Sequence, residues 1–177
     1  MSDRIFRYED PDRLVIGTIG IPGEREFFLQ VGKGNKVSSF ALEKGQADGL
    51  ARRSLQMLQD LQLKKTVEIR HLSLLTPLES EFQIGVITIT WKSEIDRFDI
   101  SIEALSDQNN ADETSVNDFD FATSQLQVLV SPDLLNEFAQ HTLEVVAAGR
   151  QPCLFCGGPI NSEGHLCPRA NGYRRME

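Results

Sequence analysis

A chain of 177 residues, 40% hydrophobic and 25% charged, suits one ordinary domain with a small appendage rather than two full domains. Its net charge of −8 argues against non-specific binding to nucleic acid, which needs a cationic surface. No apolar run approaches the roughly 20 residues that cross a bilayer, and the charged first dozen residues do not resemble a signal peptide, so a cytoplasmic protein without a membrane anchor is expected.

In chain order, residues 4–8 form a short candidate strand. Residues 13–19 (RLVIGTI) and 25–31 (REFFLQV) are stronger ones, rich in β-branched and aromatic side chains. Turn chemistry at Gly20-Ile21-Pro22-Gly23 separates them, and Gly32-Lys33-Gly34-Asn35-Lys36 leads to a further strand at 37–42. Connections this short favour antiparallel hairpins, because parallel neighbours need a longer crossover. Over residues 43–62 the period changes: Leu50, Ser54, Met57, Leu58 and Leu61 recur at steps of three and four, which predicts a helix.

Strand character then returns. Phe82, Ile84, Val86, Ile87, Ile89 and Trp91 form a long β-prone stretch, and Phe98, Ile100 and Ile102 alternate with Asp99, Ser101 and Glu103. Residues 106–120 are polar and acidic and read as a loop, and residues 126–130 as a final strand. Ser131-Pro132-Asp133 is a helix start, with a hydroxyl N-cap, proline at N1 and an acid in the first turn. Leu135, Phe138, Thr142, Val145 and Val146 share one face of that helix, Gly149 stands where a C′ glycine ends it, and Pro152 prevents continuation. The expected class is α+β: a mainly antiparallel sheet of six or seven strands with two helices over residues 1–149, followed by a metal-binding appendage over 150–177.

That appendage carries the strongest chemical signal. All three cysteines lie within fifteen residues, as Cys153-x-x-Cys156 and His165-x-Cys167. An odd cysteine count does not suit a closed disulfide framework. The first pair can share one ion across a tight knuckle, with Gly157 and Gly158 supplying the unusual backbone that follows. His165 and Cys167, two apart, leave one face of an extended segment, and eight residues between the pairs allow the chain to reverse. Four ligands of the Cys3His type suit tetrahedral zinc, and a sphere closed by protein suits a structural ion better than a catalytic one. The alternatives are a redox Cys-x-x-Cys, which ordinarily sits at a strand-to-helix turn, and incidental free thiols.

Charge separates the two regions. Residues 94–120 contain nine acids and one base, Arg97, whereas residues 150–177 contain four arginines and two glutamates. Arg169, Asn171, Tyr173, Arg174 and Arg175 combine an Asn-Gly turn with residue types that dominate binding hot spots, so they are the candidate partner surface; a plain frayed basic terminus is the alternative. Gly17-x-x-Gly20-x-x-Gly23 is not a dinucleotide loop, because a strand rather than a helix follows it. His71 and His141 lack a sequence-adjacent carboxylate at catalytic spacing and read as surface or capping residues. Common hydrolase, metalloprotease and kinase motifs are absent.

With these residues in view, the chain resembles a family of bacterial, mainly actinobacterial, proteins catalogued as domain of unknown function 3090. The likeness runs nearly end to end. It rests on Phe6-Arg7 and Asp10-Pro11-Asp12-Arg13 through Gly17-Thr18, on residues 27–30, on Glu81-Phe82-x-x-Gly85, on Ala148-Gly149-Arg150-x-Pro152-Cys153, and on Gly164-His165-x-Cys167 through Arg169-x-Asn171-Gly172-Tyr173-Arg174-Arg175. The resemblance transfers no activity and no catalytic residue. It implies gene neighbours that are similar to histidine phosphatases and to phosphatidylinositol kinases, whose products are candidate protein partners.

Three functions stand. The first is a non-enzymatic zinc protein that binds a partner through its arginine-bearing tail. The second is an enzyme for a phosphorylated small molecule in a pocket between sheet and tail, which requires Arg13, Arg25, Lys33, Lys36 and Arg169 to converge. The third, a nucleic-acid module, is disfavoured by the acidic body.

Overall fold

The computed structural model describes residues 4–21, 23–63, 70–105, 124–149, 153–158, 160, 164–167 and 169. The acidic 106–120 segment therefore lies outside the described residues. The strands are β1 (Ile5–Glu9), β2 (Arg13–Ile19), β3 (Glu26–Lys33), β4 (Lys36–Leu42), β5 (Ser80–Lys92), β6 (Arg97–Ala104) and β7 (Gln125–Val130). The helices are α1 (Lys44–Asp60), between β4 and β5, and α2 (Pro132–Ala147), after β7. The class is α+β, as expected.

Among the described residues, seven strands form one sheet in the order β1-β7-β6-β5-β4-β3-β2. Hairpins join β2 to β3, β3 to β4 and β5 to β6, but β1 runs parallel to β7 and β4 parallel to β5. The sheet is thus mixed, though mostly antiparallel. Its two edge strands, β1 and β2, are joined by only residues 10–12. Six interstrand spacings in a flat sheet would separate the edges by about 29 Å, whereas the four virtual bonds from Glu9 to Arg13 reach at most about 15 Å. The sheet must therefore curl. Across the closing face, Tyr8 Oη and Ser38 Oγ are 2.8 Å apart, and the Phe6 ring meets Phe40 edge-on at 5.4 Å.

The pleat sorts the core. On β6 and β7, Phe98 faces Val130, Ile100 faces Val128 and Ile102 faces Leu126, and all six are buried. Leu14 and Ile16 continue that core on β2, Leu29 and Val31 on β3, and Phe40 on β4. α1 contributes Ala47, Leu50, Ala51 and Leu58, and α2 contributes Leu135, Phe138 and Ala139. The helices pack on each other, with α2 also against β2. A bulge between Ile84 and Ile87 breaks the β5–β6 register, and the Gln46 amide of α1 donates to the Ile84 and Gly85 carbonyls there, at 3.1 and 2.9 Å.

The starting cap of α2 is the one its sequence specifies: Ser131 Oγ accepts from Leu134 N at 3.3 Å. Its end differs. Gly149 does not take the left-handed φ of a glycine cap; instead Arg25 Nη1 donates to the Ala148 carbonyl at 2.6 Å. A cation supplied from the residue just before β3 thus answers the negative end of the helix dipole.

The other face of β2–β4 is covered by residues 70–79, a segment without regular structure. Gln30, 1% exposed in mid-strand, holds it. Its carboxamide donates to Leu75 O at 3.1 Å and accepts from Leu75 N at 2.9 Å. Arg13 donates to both Gln30 Oε1 and the Ser73 carbonyl. Beside them, a Cβ on Gly17 would lie 2.6 Å from Leu74 Cγ, so glycine lets the segment sit down on the sheet. Gly17→Val is expected to cost about 1–3 kcal/mol in urea denaturation through overpacking, despite valine's higher strand propensity. An unchanged midpoint would mean that Leu74 does not press on the sheet.

Candidate metal centre

Beyond α2, local backbone bonds fold the two halves of the cysteine segment. Cys153 N donates to Gly158 O at 2.7 Å and Gly157 N to Cys153 O at 2.8 Å. That closure needs Gly157 at φ +73, which glycine reaches without strain. The same turn aims Phe155 N at Cys153 Sγ and Gly158 N at Cys156 Sγ, each at 3.4 Å. Gly164, at φ +88, precedes the second pair.

Cys153, Cys156, His165 and Cys167 each present one ligand atom, and the four atoms lie within 4.8 Å of one another. Cys153 Sγ and Cys167 Sγ are 3.7 Å apart, and Cys156 Sγ and His165 Nε2 are 3.2 Å apart. A tetrahedron with metal–sulfur bonds near 2.3 Å and metal–nitrogen bonds near 2.0 Å has edges of about 3.8 Å (S···S) and about 3.5 Å (S···N). The sulfur pair matches its edge, and the sulfur–nitrogen pair is slightly tighter. A disulfide would require about 2.05 Å, so the thiols are free. The donor set fits a metal ion.

Electrostatics point the same way. N–H groups of Cys156 and Phe155 directed at Cys153 lower its pKa, which favours the thiolate. At Cys156 the Gly158 N–H acts to lower the pKa, but burial and the neighbouring Cys167 and Cys153 outweigh it, and the pKa rises. Crowded thiols resist a second negative charge; a cation among them would remove that resistance.

Because the ligands turn inward, the residues between them turn out. Leu154 is 97% exposed, Phe155 64% and Leu166 86%. These three carry no motif of their own in the sequence, although the spacing of the Cys and His pairs implies their outward direction. Arg169 braces the knuckle, with Nη1 donating to Phe155 O at 3.2 Å. Asn171, Tyr173, Arg174 and Arg175 lie outside the described residues.

The cations of the small-molecule reading have separate partners. Arg13 binds Gln30 and Ser73, Arg25 binds Ala148, and Arg169 binds Phe155. Lys33 donates to the Glu9 carbonyl, and Lys36 sits 5.1 Å from the Tyr8 ring centre. A cleft of 820 Å³ opens where β3, β4 and the end of α2 meet, and of these five cations only Arg25 lines it.

A second group of potential ligands comes together on α2. His71 Nδ1 is 3.5 Å from Glu144 Oε2, and the His71 and His141 rings are 5.9 Å apart. From sequence alone these histidines read as surface or capping residues with no link between them, because one sits in the 70–79 segment and the other seventy residues later on a helix. Burial, then proximity to His71, lowers the His141 pKa, against the opposing pull of Glu144, Glu137 and a hydrogen bond to the Leu72 backbone.

The profile of a family described as "Protein of unknown function (DUF3090)" matches residues 6–167. The chain belongs to the DUF3090 family. The matched region of this DUF3090 protein reaches from β1 through Cys167 and so encloses all four candidate ligands of the cysteine centre. No curated protein and no solved structure matches the chain. Among the described residues of the DUF3090 chain, no helix is long and apolar enough to cross a membrane.

Proposed function

We propose that this DUF3090 chain is a non-enzymatic zinc protein whose metal-ordered knuckle and arginine tail bind a protein partner in the cytoplasm. The observation that carries this reading is the closed set of three thiols and one imidazole, with Leu154, Phe155 and Leu166 turned outward around it. Zinc suits a sulfur-rich tetrahedral site and has no redox chemistry of its own. Four protein ligands leave no position for water, so the ion serves structure. An apparent binding free energy of roughly 10–16 kcal/mol is available to such sites, enough to order a segment with little core of its own.

Three large apolar side chains held outward on a rigid turn are costly to leave in water and useful against a partner. The arginines of residues 150–177 add charge, so the partner that fits is a protein with an apolar pocket and an acidic rim. Proteins similar to histidine phosphatases or phosphatidylinositol kinases, expected as products of neighbouring genes, are the first to try.

The test is affinity capture from native cells with wild type, Phe155→Ala/Leu166→Ala and Arg174→Ala/Arg175→Ala. Each double variant is expected to keep its metal and lose at least tenfold of one shared partner. Recovery of the same partners at wild-type levels by both variants would refute the assignment of this surface.

A further inference from the structure

We propose that His71, His141 and Glu144 form a second metal site, distinct from the cysteine centre, that takes a divalent first-row transition ion of the zinc class and ties the 70–79 segment to α2. Three observations converge. The first is distance: one ligand atom from each of the three residues lies within 4.8 Å of the others. The measured His71 Nδ1 to Glu144 Oε2 separation of 3.5 Å is close to the edge of about 3.4 Å for a tetrahedron with 2.0–2.1 Å bonds to nitrogen and oxygen.

The second is an unmet need. His141 Nδ1 is buried and has no hydrogen-bond partner among the described residues, a rare and unfavourable condition for a ring nitrogen. An ion, or a water held by one, would supply the missing partner.

The third is how the surrounding charges are already used. Glu137, one helical turn before His141, is occupied by Arg70, which donates to Oε1 at 2.7 Å and to Oε2 at 3.2 Å, while Arg70 N also reaches Oε1 at 3.3 Å. Glu137 therefore anchors the start of the segment and presents His71 to α2, while Glu144 remains available as the carboxylate. His141 and Glu144 are three apart on one helix, which places them on one face, and the segment supplies the third ligand.

Two imidazoles and a carboxylate suit zinc, nickel, copper or ferrous ions better than magnesium or calcium. His71 and Glu144 are mostly exposed, with side chains 72% and 53% accessible. The site is therefore open on its solvent side and leaves a coordination position for water or an exchangeable ligand. It should hold its ion less tightly than the closed cysteine centre.

The experiment uses the untagged full chain, loaded with zinc and washed with a weak chelator so that tightly held metal stays. Cobalt(II) is then added and followed by visible absorption and calorimetry. The expected result is one further saturable equivalent without a new thiolate-to-metal band, since its ligands are nitrogen and oxygen. His71→Ala and Glu144→Gln, both at exposed side chains that folding does not need, should each weaken this equivalent at least tenfold and leave the tightly held zinc unchanged. His141→Ala should abolish it. The absence of a saturable equivalent in wild type, or affinity within threefold of wild type in both His71→Ala and Glu144→Gln, overturns the site.

Discussion

Serine in place of Cys153 will empty the cysteine centre while leaving the sheet and helices folded. Cys153 is 6% exposed and lies 3.7 Å from Cys167 Sγ, so in the proposed zinc site its thiolate would be an inner ligand that no water-exposed neighbour replaces. A serine hydroxyl stays protonated at neutral pH and is a poor zinc ligand. If roughly 10–16 kcal/mol of apparent binding is shared by four ligands, each is worth about 2.5–4 kcal/mol, and losing one weakens binding by about 10²–10³-fold. Elemental analysis after a weak chelator should fall from about one tightly held zinc per chain to a small fraction. The body should hardly respond. Its core is built from β1–β7, α1 and α2, and its thermal transition should move by only a few degrees. Collapse of the whole fold would mean that the knuckle supports the body; unchanged metal content would remove Cys153 from the ligand set.

Gln30→Leu will cost about 2–4 kcal/mol and release the 70–79 segment from the sheet. Leucine preserves most of the volume, so the loss isolates the polar contacts. Four groups lose a partner at once: Leu75 N–H, Leu75 C=O, the Ser39 hydroxyl and Arg13 Nε. Unsatisfied buried groups cost about 1–3 kcal/mol each, but a detached segment can turn its groups to water, which limits the total. Urea unfolding gives the stability change, and hydrogen exchange at Leu75 reports the release directly. Because Arg70 and His71 begin the same segment, cobalt binding at the α2 site should weaken in this variant as well. A change below about 0.5 kcal/mol with Leu75 still protected would show that Leu74 packing and the Arg70–Glu137 pair hold the segment without Gln30.

How far the sequence reached follows from how local each feature is. Alternation on β6 (Phe98, Ile100 and Ile102 against Asp99, Ser101 and Glu103) and the Ser131-Pro132-Asp133 start of α2 are written in adjacent residues, and both elements stand where those residues indicate. The cysteine centre is nearly as local, with fourteen positions from first ligand to last. Strand order is not. Pairing β1 with β7 joins Ile5 to Gln125, and nothing near either residue encodes that partner. Short turns indicate the antiparallel pairs β2–β3, β3–β4 and β5–β6, and these form; the two parallel pairs, β1–β7 and β4–β5, join strands that no short turn connects. Gln30 illustrates a different limit. A glutamine between Leu29 and Val31 reads as the wet face of a strand, but that face is covered by a segment with no periodicity to announce it. His71 escaped for the same reason, since its approach to His141 and Glu144 depends on Gln30 and Glu137 holding that segment in place.

X-ray absorption at the zinc edge, on untagged protein washed with a weak chelator, is the most direct test of the central claim. One tightly held zinc per chain is expected, with three sulfurs near 2.3 Å and one nitrogen near 2.0 Å. Freshly reduced protein without metal, or zinc with no sulfur shell, would contradict it and turn attention to the redox chemistry of Cys153 and Cys156.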